Sequence, residues 1–349
     1  VLKDLKETPV SVVILNWNGL EHLQTFLPSV MAHTPQNLAS VVLIDNHSTD
    51  QSVAWVKKNY PQILNIQNHR NHGFAGGYNE GLKQVKDGIW ILLNSDVEVT
   101  PNWLPPLLSV FDDEKVAAVQ PKVLAWKDKQ KFEHAGASGG FMDKLGYPFC
   151  RGRILDAVEN DEQQYNEITE VFWASGACLG IRSNLFRKLN GFDESFFAHM
   201  EEIDLCWRLK NRGYKIVVNP QSTVYHFGGG TLSAISPKKT FLNFRNNLFM
   251  LTKNLPMKYW VRIVPTRMVL DGLAGFVFLM QGKPKHCWAV LRAHFAFYGR
   301  LPHLFRYREG IDQNFFALHL KGVYLGSVIK EYYLNKVRTF KALKDEKWS

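Results

Sequence analysis

The chain has 349 residues, 46% hydrophobic and 21% charged, which fits a folded protein of one large or two modest domains and excludes a disordered or collagen-like chain. Its four cysteines, Cys150, Cys178, Cys206 and Cys287, lie far apart with no CxxC pair, which argues against a disulfide scaffold or a thiolate zinc site. The net charge of +10 is uneven: residues 238–349 hold 20 Lys and Arg against 6 Asp and Glu, with 20 of the 45 aromatics, while residues 1–237 are net −4.

Residues 10–15 (VSVVIL) form a continuous apolar run rich in β-branched side chains, the signature of a strand covered on both faces. Residues 41–44 (VVLI) and 89–93 (IWILL) repeat it. Ser48-Thr49-Asp50-Gln51 reads as a capping box opening a helix that Pro61 stops, and residues 77–86 read as a second helix. Thr100-Pro101 opens a third, reaching Phe111. Strands alternating with helices imply a mostly parallel sheet with right-handed crossovers. Residues 126–170 read as polar loops with turns at Gly139-Gly140 and Gly146, and residues 171–181 as one buried strand. Ser183 caps a helix ending at Gly191, residues 199–212 form another closed by Gly213, and residues 215–218 a further strand. From Lys239 the pattern is helical, broken into short pieces by Pro256, Pro265, Pro284 and Pro302.

Two properties bear on location. The first fifteen residues place charges where a signal peptide needs an apolar core. The longest apolar stretch, 268–280, falls short of the ~18–20 residues of a membrane-crossing helix and contains Asp271. A cytoplasmic setting is therefore expected. The basic, aromatic-rich C-terminal third suits an anionic membrane surface, or simply a solvated basic face.

In an open parallel sheet, ligands bind outside the carboxyl ends of the strands. Three ends here are polar: Asn16-Trp17-Asn18-Gly19, Asp45-Asn46 and Asn94-Ser95-Asp96. One alone would be a strand terminator, but three at one edge point to a small-molecule site. Asp50 is explained by its place at a helix start. The run 71–81, NHGFAGGYNEG, lets backbone N–H groups approach a phosphate before a helix N-terminus, unless its glycines serve a structural turn. It matches neither GxGxxG nor GxxxxGK[ST].

Asp96 is a candidate ligand for Mg²⁺ or Mn²⁺, which take one or two carboxylates and fill the remaining positions with phosphate and water. His226 is a candidate second ligand, although a single histidine at a strand end is commonly structural. In Met200-Glu201-Glu202-Ile203-Asp204 the helical spacing puts Asp204 and Arg208 in an i,i+4 pair, which leaves Glu201 and Glu202 free beside Phe196-Phe197. A carboxylate among apolar neighbours has its pKa raised and can act as a general base. Trp173-Ala174-Ser175-Gly176 offers an aromatic plane suited to a sugar ring, or to the core.

Taken in order, VSVVILNWNG (10–19), VVLIDNHSTD (41–50), NHGFAGGYNEG (71–81), LLNSDVEV (92–99), FWASGACLGIR (172–182), GFDESFFAHMEEIDLCWRLKNRGY (191–214) and VYHFGGGT (224–231) resemble the inverting family-2 nucleotide-sugar glycosyltransferases. The nearest likeness is to the bacterial rhamnosyltransferase-like branch that acts on cell-surface polysaccharides. The resemblance implies a GT-A-type α/β catalytic domain over residues 1–240, followed by a helical region, 241–349. It implies donor binding by Asn16, Asn18, Asp45, Asp50, Asn71, Gly73, Phe74, Asn79, Asn94 and Ser95, and acceptor contacts from Trp173, Ser175 and Gly176. Asn94-Ser95-Asp96 stands where the family has its DxD-type motif, so Asp96 carries most of the metal contact with His226 assisting. The family's Glu-Asp base pair is written here as Glu201-Glu202, with Glu202 the first choice and Glu201 the reserve. The QxxRW motif of processive synthases is absent after the acidic helix, which implies the addition of one sugar.

The expected activity is transfer of one sugar, rhamnose by resemblance, from a nucleoside-diphosphate donor to a saccharide acceptor of lipid-linked type. The enzyme would be peripheral on the cytoplasmic face of the inner membrane. The alternatives are a sugar nucleotidyltransferase, whose lysine-bearing Gly-rich loop is missing near the N-terminus, and a non-catalytic sugar- or lipid-binding scaffold. Nucleic-acid binding is disfavoured because no recognisable motif for it appears.

Overall fold

The computed structural model describes residues 8–228, 236–306, 308 and 320–349. The first half alternates as expected: β1 (Val10–Asn16), α1 (Leu20–His33), β2 (Ser40–Asp45), α2 (Ser52–Asn59), β3 (Leu64–Gln67), α3 (Gly73–Gly81), β4 (Ile89–Asn94), β5 (Val97–Val99) and α4 (Leu104–Ser109). Strands β1, β2, β3 and β4 pair in parallel, with Asn16 beside Asp45 and Leu15 beside Asn94. Parallel pairing in register therefore lines up the three polar ends at one sheet edge. Because side chains alternate along a strand, Val12 and Ile14 enter one core with α1 and α4, while Val13 joins Val42, Trp90 and Tyr78 in the other.

The middle region is more ordered than its polar composition implies. It contains β6 (Val116–Ala125), β7 (Asp128–Phe132), β8 (Gly140–Asp143), β9 (Pro148–Cys150), β10 (Arg153–Ile154), β11 (Ala157–Val158) and β12 (Thr169–Val171). The strands β8 to β11 form most of a small second sheet, and Gly146 does turn the chain between β8 and β9. The single strand expected over 171–181 is instead two, β12 and β13 (Cys178–Arg182), separated by a bend at 172–177. Next come α5 (Ser183–Lys188), α6 (Glu201–Lys210) and β14 (Lys215–His226), which is three times the expected length. The main sheet runs β12-β14-β6-β13-β4-β1-β2-β3, with β5 on β14 and β7 on β6. β13 runs antiparallel to β4, and β14 parallel to β6.

Several expected helix signals act otherwise. Thr100 does not cap α4; its hydroxyl donates to the Thr223 carbonyl, and the helix begins four residues later. The Ser183 hydroxyl accepts from the Gly88 N–H, and no side chain caps α5. The capping box at Ser48 is likewise absent.

The C-terminal region contains α7 (Pro237–Asn254), α8 (Met257–Met280), α9 (Pro284–Arg306), β15 (Val323–Tyr324), which joins β8, and α10 (Val328–Tyr333). Pro265 and Pro302 lie inside long helices and do not break them, contrary to the expected short pieces. At 24 residues α8 is long and apolar enough, by length and composition, to cross a membrane, which overturns the expectation that no segment approaches that size. Its Asp271 is buried and paired with Arg267 at 3.8 Å and His294 at 3.5 Å. α7 is integral to the main core: Leu248, Phe249, Met250 and Leu251 pack with Phe196, Leu205 and Trp207.

Candidate active site

The ends of β1 and β2 are tied into one buried network. Asn16 Nδ2 donates to Asp45 Oδ1 at 3.0 Å, Ser52 Oγ at 2.9 Å and Ser48 Oγ at 3.1 Å, and Asp45 Oδ2 accepts from the Ser48 N–H at 2.9 Å. Asp50 accepts from the N–H groups of Ser52 and Leu20, and so anchors the entries to α2 and α1. Asn18 is exposed, has φ of 48°, and accepts from the Thr49 N–H at 2.7 Å. These bonds shape the edge; Asn16 Oδ1 remains buried with no partner.

The glycine-rich run is the helix α3 itself, not a loop before a helix. A β-carbon at Gly81 would stand 2.5 Å from Ile44, and one at Gly77 would stand 2.9 Å from Asn46 Nδ2. Glycine thus lets α3 lie directly on β2. Asn71 Oδ1 accepts from Asn46 and from the Gly73 N–H. Asn79 is occupied structurally, because its amide donates to the Phe192 carbonyl and accepts from the Phe192 N–H. Gly73, with φ of 73°, sits against the Phe197 ring, and the Phe74 N–H donates to the Phe197 carbonyl, which joins this segment to the acidic turn.

The β4 end supplies Asn94, whose N–H donates to the Ala177 carbonyl, and Ser95, whose hydroxyl lies near Gly19. Asp96 Oδ1 is 3.2 Å from His226 Nε2, because β5 pairs with the end of β14. Glu133, in the region read as loop, approaches His226 Nδ1 at 3.6 Å. Burial alone would raise the Asp96 pKa, but the bond from His226 outweighs it and holds the carboxyl low. Burial opposes charge on His226 as well, yet the two carboxylates push its pKa up to about 10.

Among the described residues no group of three or more His, Cys, Asp or Glu is arranged to hold a metal ion. The Asp96–His226 pair nonetheless fits a divalent cation in part. Donors 3.2 Å apart match the ~3 Å edge of an octahedron with bonds near 2.1 Å, a geometry that leaves other positions for phosphate and water. Binding there would displace the imidazole proton. Gly229, Gly230 and Thr231, which complete the matching segment, lie outside the described residues.

Glu201 and Glu202 open α6. Before them the chain holds three non-glycine residues at positive φ: Phe197 at 64°, His199 at 71° and Met200 at 75°. Such conformations persist only where the surroundings enforce them, and here α7 does so. Asn246 Nδ2 donates to the carbonyls of Phe196, Ala198 and His199 at 3.0, 2.9 and 2.8 Å, and Arg245 donates to those of Ser195 and Phe196. Below the turn, buried Asp204 accepts from Arg208, Lys253 and Asn254, which bears out the expected i,i+4 pair and extends it to α7.

Both glutamates carry a buried Oε2 with no partner. Burial, and for Glu201 also the charge of Glu202, holds the Glu201 carboxyl well above the ordinary range, while burial raises Glu202 to about 7. A β-carbon at Gly176 would stand 3.8 Å from the Glu202 carboxyl carbon and 3.6 Å from the Phe74 ring. Ala177, next in the chain, is the residue bonded to Asn94, so contacts run without a gap from Glu202 to the β4 end. Trp173, expected as a stacking plane, is instead core: it is buried against Gly140, and its indole N–H donates to the Phe141 carbonyl. Ser175 is also buried, its N–H given to Gln120 and its hydroxyl to the Ala135 carbonyl. Gly176 alone of that trio faces the acidic turn.

Sequence reasoning placed Asn46 at the sheet edge but missed Glu133 and the α7 residues Arg245 and Asn246. Glu133 sits in a stretch with no periodicity, and the α7 pair meets the turn from about 50 positions away.

Residues 11–189, just over half the chain, match the sequence profile of glycosyl transferase family 2, and the chain belongs to that family. It is 28% identical over 232 residues to the O-antigen biosynthesis protein RfbC of Myxococcus xanthus, a match covering 64% of this chain and 18% of that one. It is 27% identical over 231 residues to the N-acetylglucosaminyl-diphospho-decaprenol L-rhamnosyltransferase of Mycobacterium tuberculosis, covering 62% of this chain and 75% of the relative. Among solved structures it resembles GalNAc-T7 with UDP, GalNAc and Mn²⁺, with a TM-score of 0.54 and 20% identity over 74% of this chain and 49% of that one. That likeness bears out the expected GT-A fold.

Proposed function

From membership of glycosyl transferase family 2 and the arrangement at the sheet edge, we propose that this protein moves one sugar from a nucleoside-diphosphate donor to a hydroxyl of a saccharide acceptor, with inversion at the anomeric carbon. One observation carries the reading: a carboxylate with an orphaned oxygen and a raised pKa, Glu202, is linked through Gly176 and Ala177 to the β4 end that leads into the Asp96–His226 pair.

Glu202 takes the proton of the acceptor hydroxyl as that oxygen forms its bond to the anomeric carbon. The bond from that carbon to the donor phosphate breaks on the opposite face, and its electron pair leaves with the nucleoside diphosphate. Asp96 and His226 would hold Mg²⁺ or Mn²⁺, which when bound neutralises charge gathering on the departing diphosphate. The rigid Asn16–Asp45 network supports the nucleoside, with Asn18 on its exposed rim. Gly176 lies between the Phe74 ring and the Glu202 carboxyl, on the side from which the acceptor would approach. Glu201, the more deeply buried of the pair, is the alternative base.

The M. tuberculosis relative's name includes an acceptor on a lipid diphosphate and transfer of L-rhamnose. By that likeness the acceptor is a saccharide on a lipid diphosphate and the transferred sugar L-rhamnose. A donor screen tests the proposal: dTDP-, UDP- and GDP-sugars with Mn²⁺ or Mg²⁺, read as sugar transfer or as release of nucleoside diphosphate. Metal-dependent turnover of one donor class, dTDP-rhamnose first, is expected. No turnover and no metal-dependent binding of any nucleoside diphosphate would contradict it.

A further inference from the structure

We propose that the tip of the α8–α9 hairpin seats in the surface of an anionic lipid bilayer. The outward faces of α8 and of the first half of α9 leave Phe276, Val277, Met280, Trp288, Leu291 and Phe295 exposed, Met280 at 72% and Phe295 at 68%. Large apolar side chains grouped in this way mark an interaction surface. Within Met257–Met280 and Pro284–Arg306 and the turn between them, eight Lys and Arg stand against one acid, Asp271. Asp271 is buried and paired, so it presents no negative charge outward.

Exposed Lys283 and Lys285 lie at the turn itself, among the apolar groups. This pattern suits acyl chains bordered by anionic headgroups, where long lysine stems bury and their ammonium groups reach phosphate. A second copy docked tip to tip would instead bring these lysines against each other. Crossing the bilayer is disfavoured by the inner face of α8, whose Ile263, Val264, Arg267 and Asp271 are buried within the protein.

The tip also lies beside the chemistry. His286 Nδ1 meets Thr240 Oγ1 at 2.8 Å, joining the hairpin to the start of α7. There Lys238 stands over the Phe197 ring of the acidic turn at 5.1 Å. A surface docked on the tip would therefore place membrane-held acceptors near Glu202. Seating on the bilayer needs neither donor nor acceptor, so it can fail separately from the sugar transfer.

The test uses the full chain with vesicles of phosphatidylcholine alone or mixed with phosphatidylglycerol. Flotation with the mixed vesicles and little with neutral ones is expected. Trp288 emission should be quenched by acyl-brominated lipid, measured as the difference from Trp288→Phe. Lys283→Gln with Lys285→Gln should weaken binding about 30-fold, and Phe276→Ser with Phe295→Ser about 100-fold, each with an unchanged circular dichroism spectrum. Absence of flotation, unquenched Trp288, or variants that bind as the wild type would overturn the proposal. So would a wild-type dimer that ignores lipid and that the phenylalanine variant dissociates, since a second copy would then be the occupant.

Discussion

The edge formed by β1 and β2 and the turn entering α6 are both buried and polar, but they are built on opposite terms. At the first, the side chains of Asn16, Asp45, Ser48 and Ser52 bond chiefly to one another, so the edge is rigid before any ligand arrives. At the second, Glu201 and Glu202 each bury an oxygen with no partner, behind a backbone held at positive φ by bonds from α7. A network satisfied except at Asn16 Oδ1 gives shape, and an unsatisfied carboxylate gives reactivity at a cost in stability. The contrast teaches where to look for each role in this chain.

The sharpest way to break the contrast is Glu202→Gln. Transfer should fall 10²–10⁴-fold while nucleoside-diphosphate binding by calorimetry survives. The folded-state pKa of Glu202, about 7, lies above that of an unfolded glutamate, so its ionisation destabilises the fold progressively as pH rises above the unfolded value. The glutamine variant should therefore melt higher than wild type at pH 8 and about equally at pH 4. Near-normal turnover would move the base to Glu201 or elsewhere.

On the satisfied side of the turn, Asp204→Ala should cost about 3–5 kcal/mol of stability by urea unfolding, because it removes the buried carboxylate that Arg208, Lys253 and Asn254 share. Asp96→Asn should raise the Mn²⁺ concentration needed for half-maximal activity at least tenfold. An unchanged metal titration would remove Asp96 from the metal's shell. A smaller effect is expected at the strap. Asn246→Ala removes three bonds to the turn, each worth about 1 kcal/mol, and should lower kcat about 10- to 30-fold with little change in donor KM. Equal falls in kcat and donor affinity would mean that α7 supports the whole fold and does not position the base.

Much of the first region was legible because its signals are local. A β-branched run followed by Asn16, Asp45 or Asn94 names both a strand and its polar end, and parallel register does the rest. The glycines of 71–81 misled because a glycine chosen for close helix-to-strand contact is written like one chosen for phosphate; the side chain of Ile44, invisible to a local reading, decides between them. Trp173 was ambiguous for the same reason, settled only by Gly140 lying on its ring. The acidic pair was visible as a pair, but its burial and its strap depend on α7, which contributes Asn246 and Lys253 as ordinary polar residues of an amphipathic helix. Pro265 and Pro302 failed as helix breakers because tertiary contacts of α8 and α9 outweigh one lost backbone bond.

The pH dependence of kcat/KM tests the central role of Glu202 most directly. As an acid whose pKa is raised by burial, it is a base only above its titration, so the rate should climb through a single ionisation near pH 7 and level off above it. The residual rate of Glu202→Gln should lack that limb. A flat profile in the wild-type enzyme from pH 5.5 to 8, or the same limb persisting in the variant, would contradict the account.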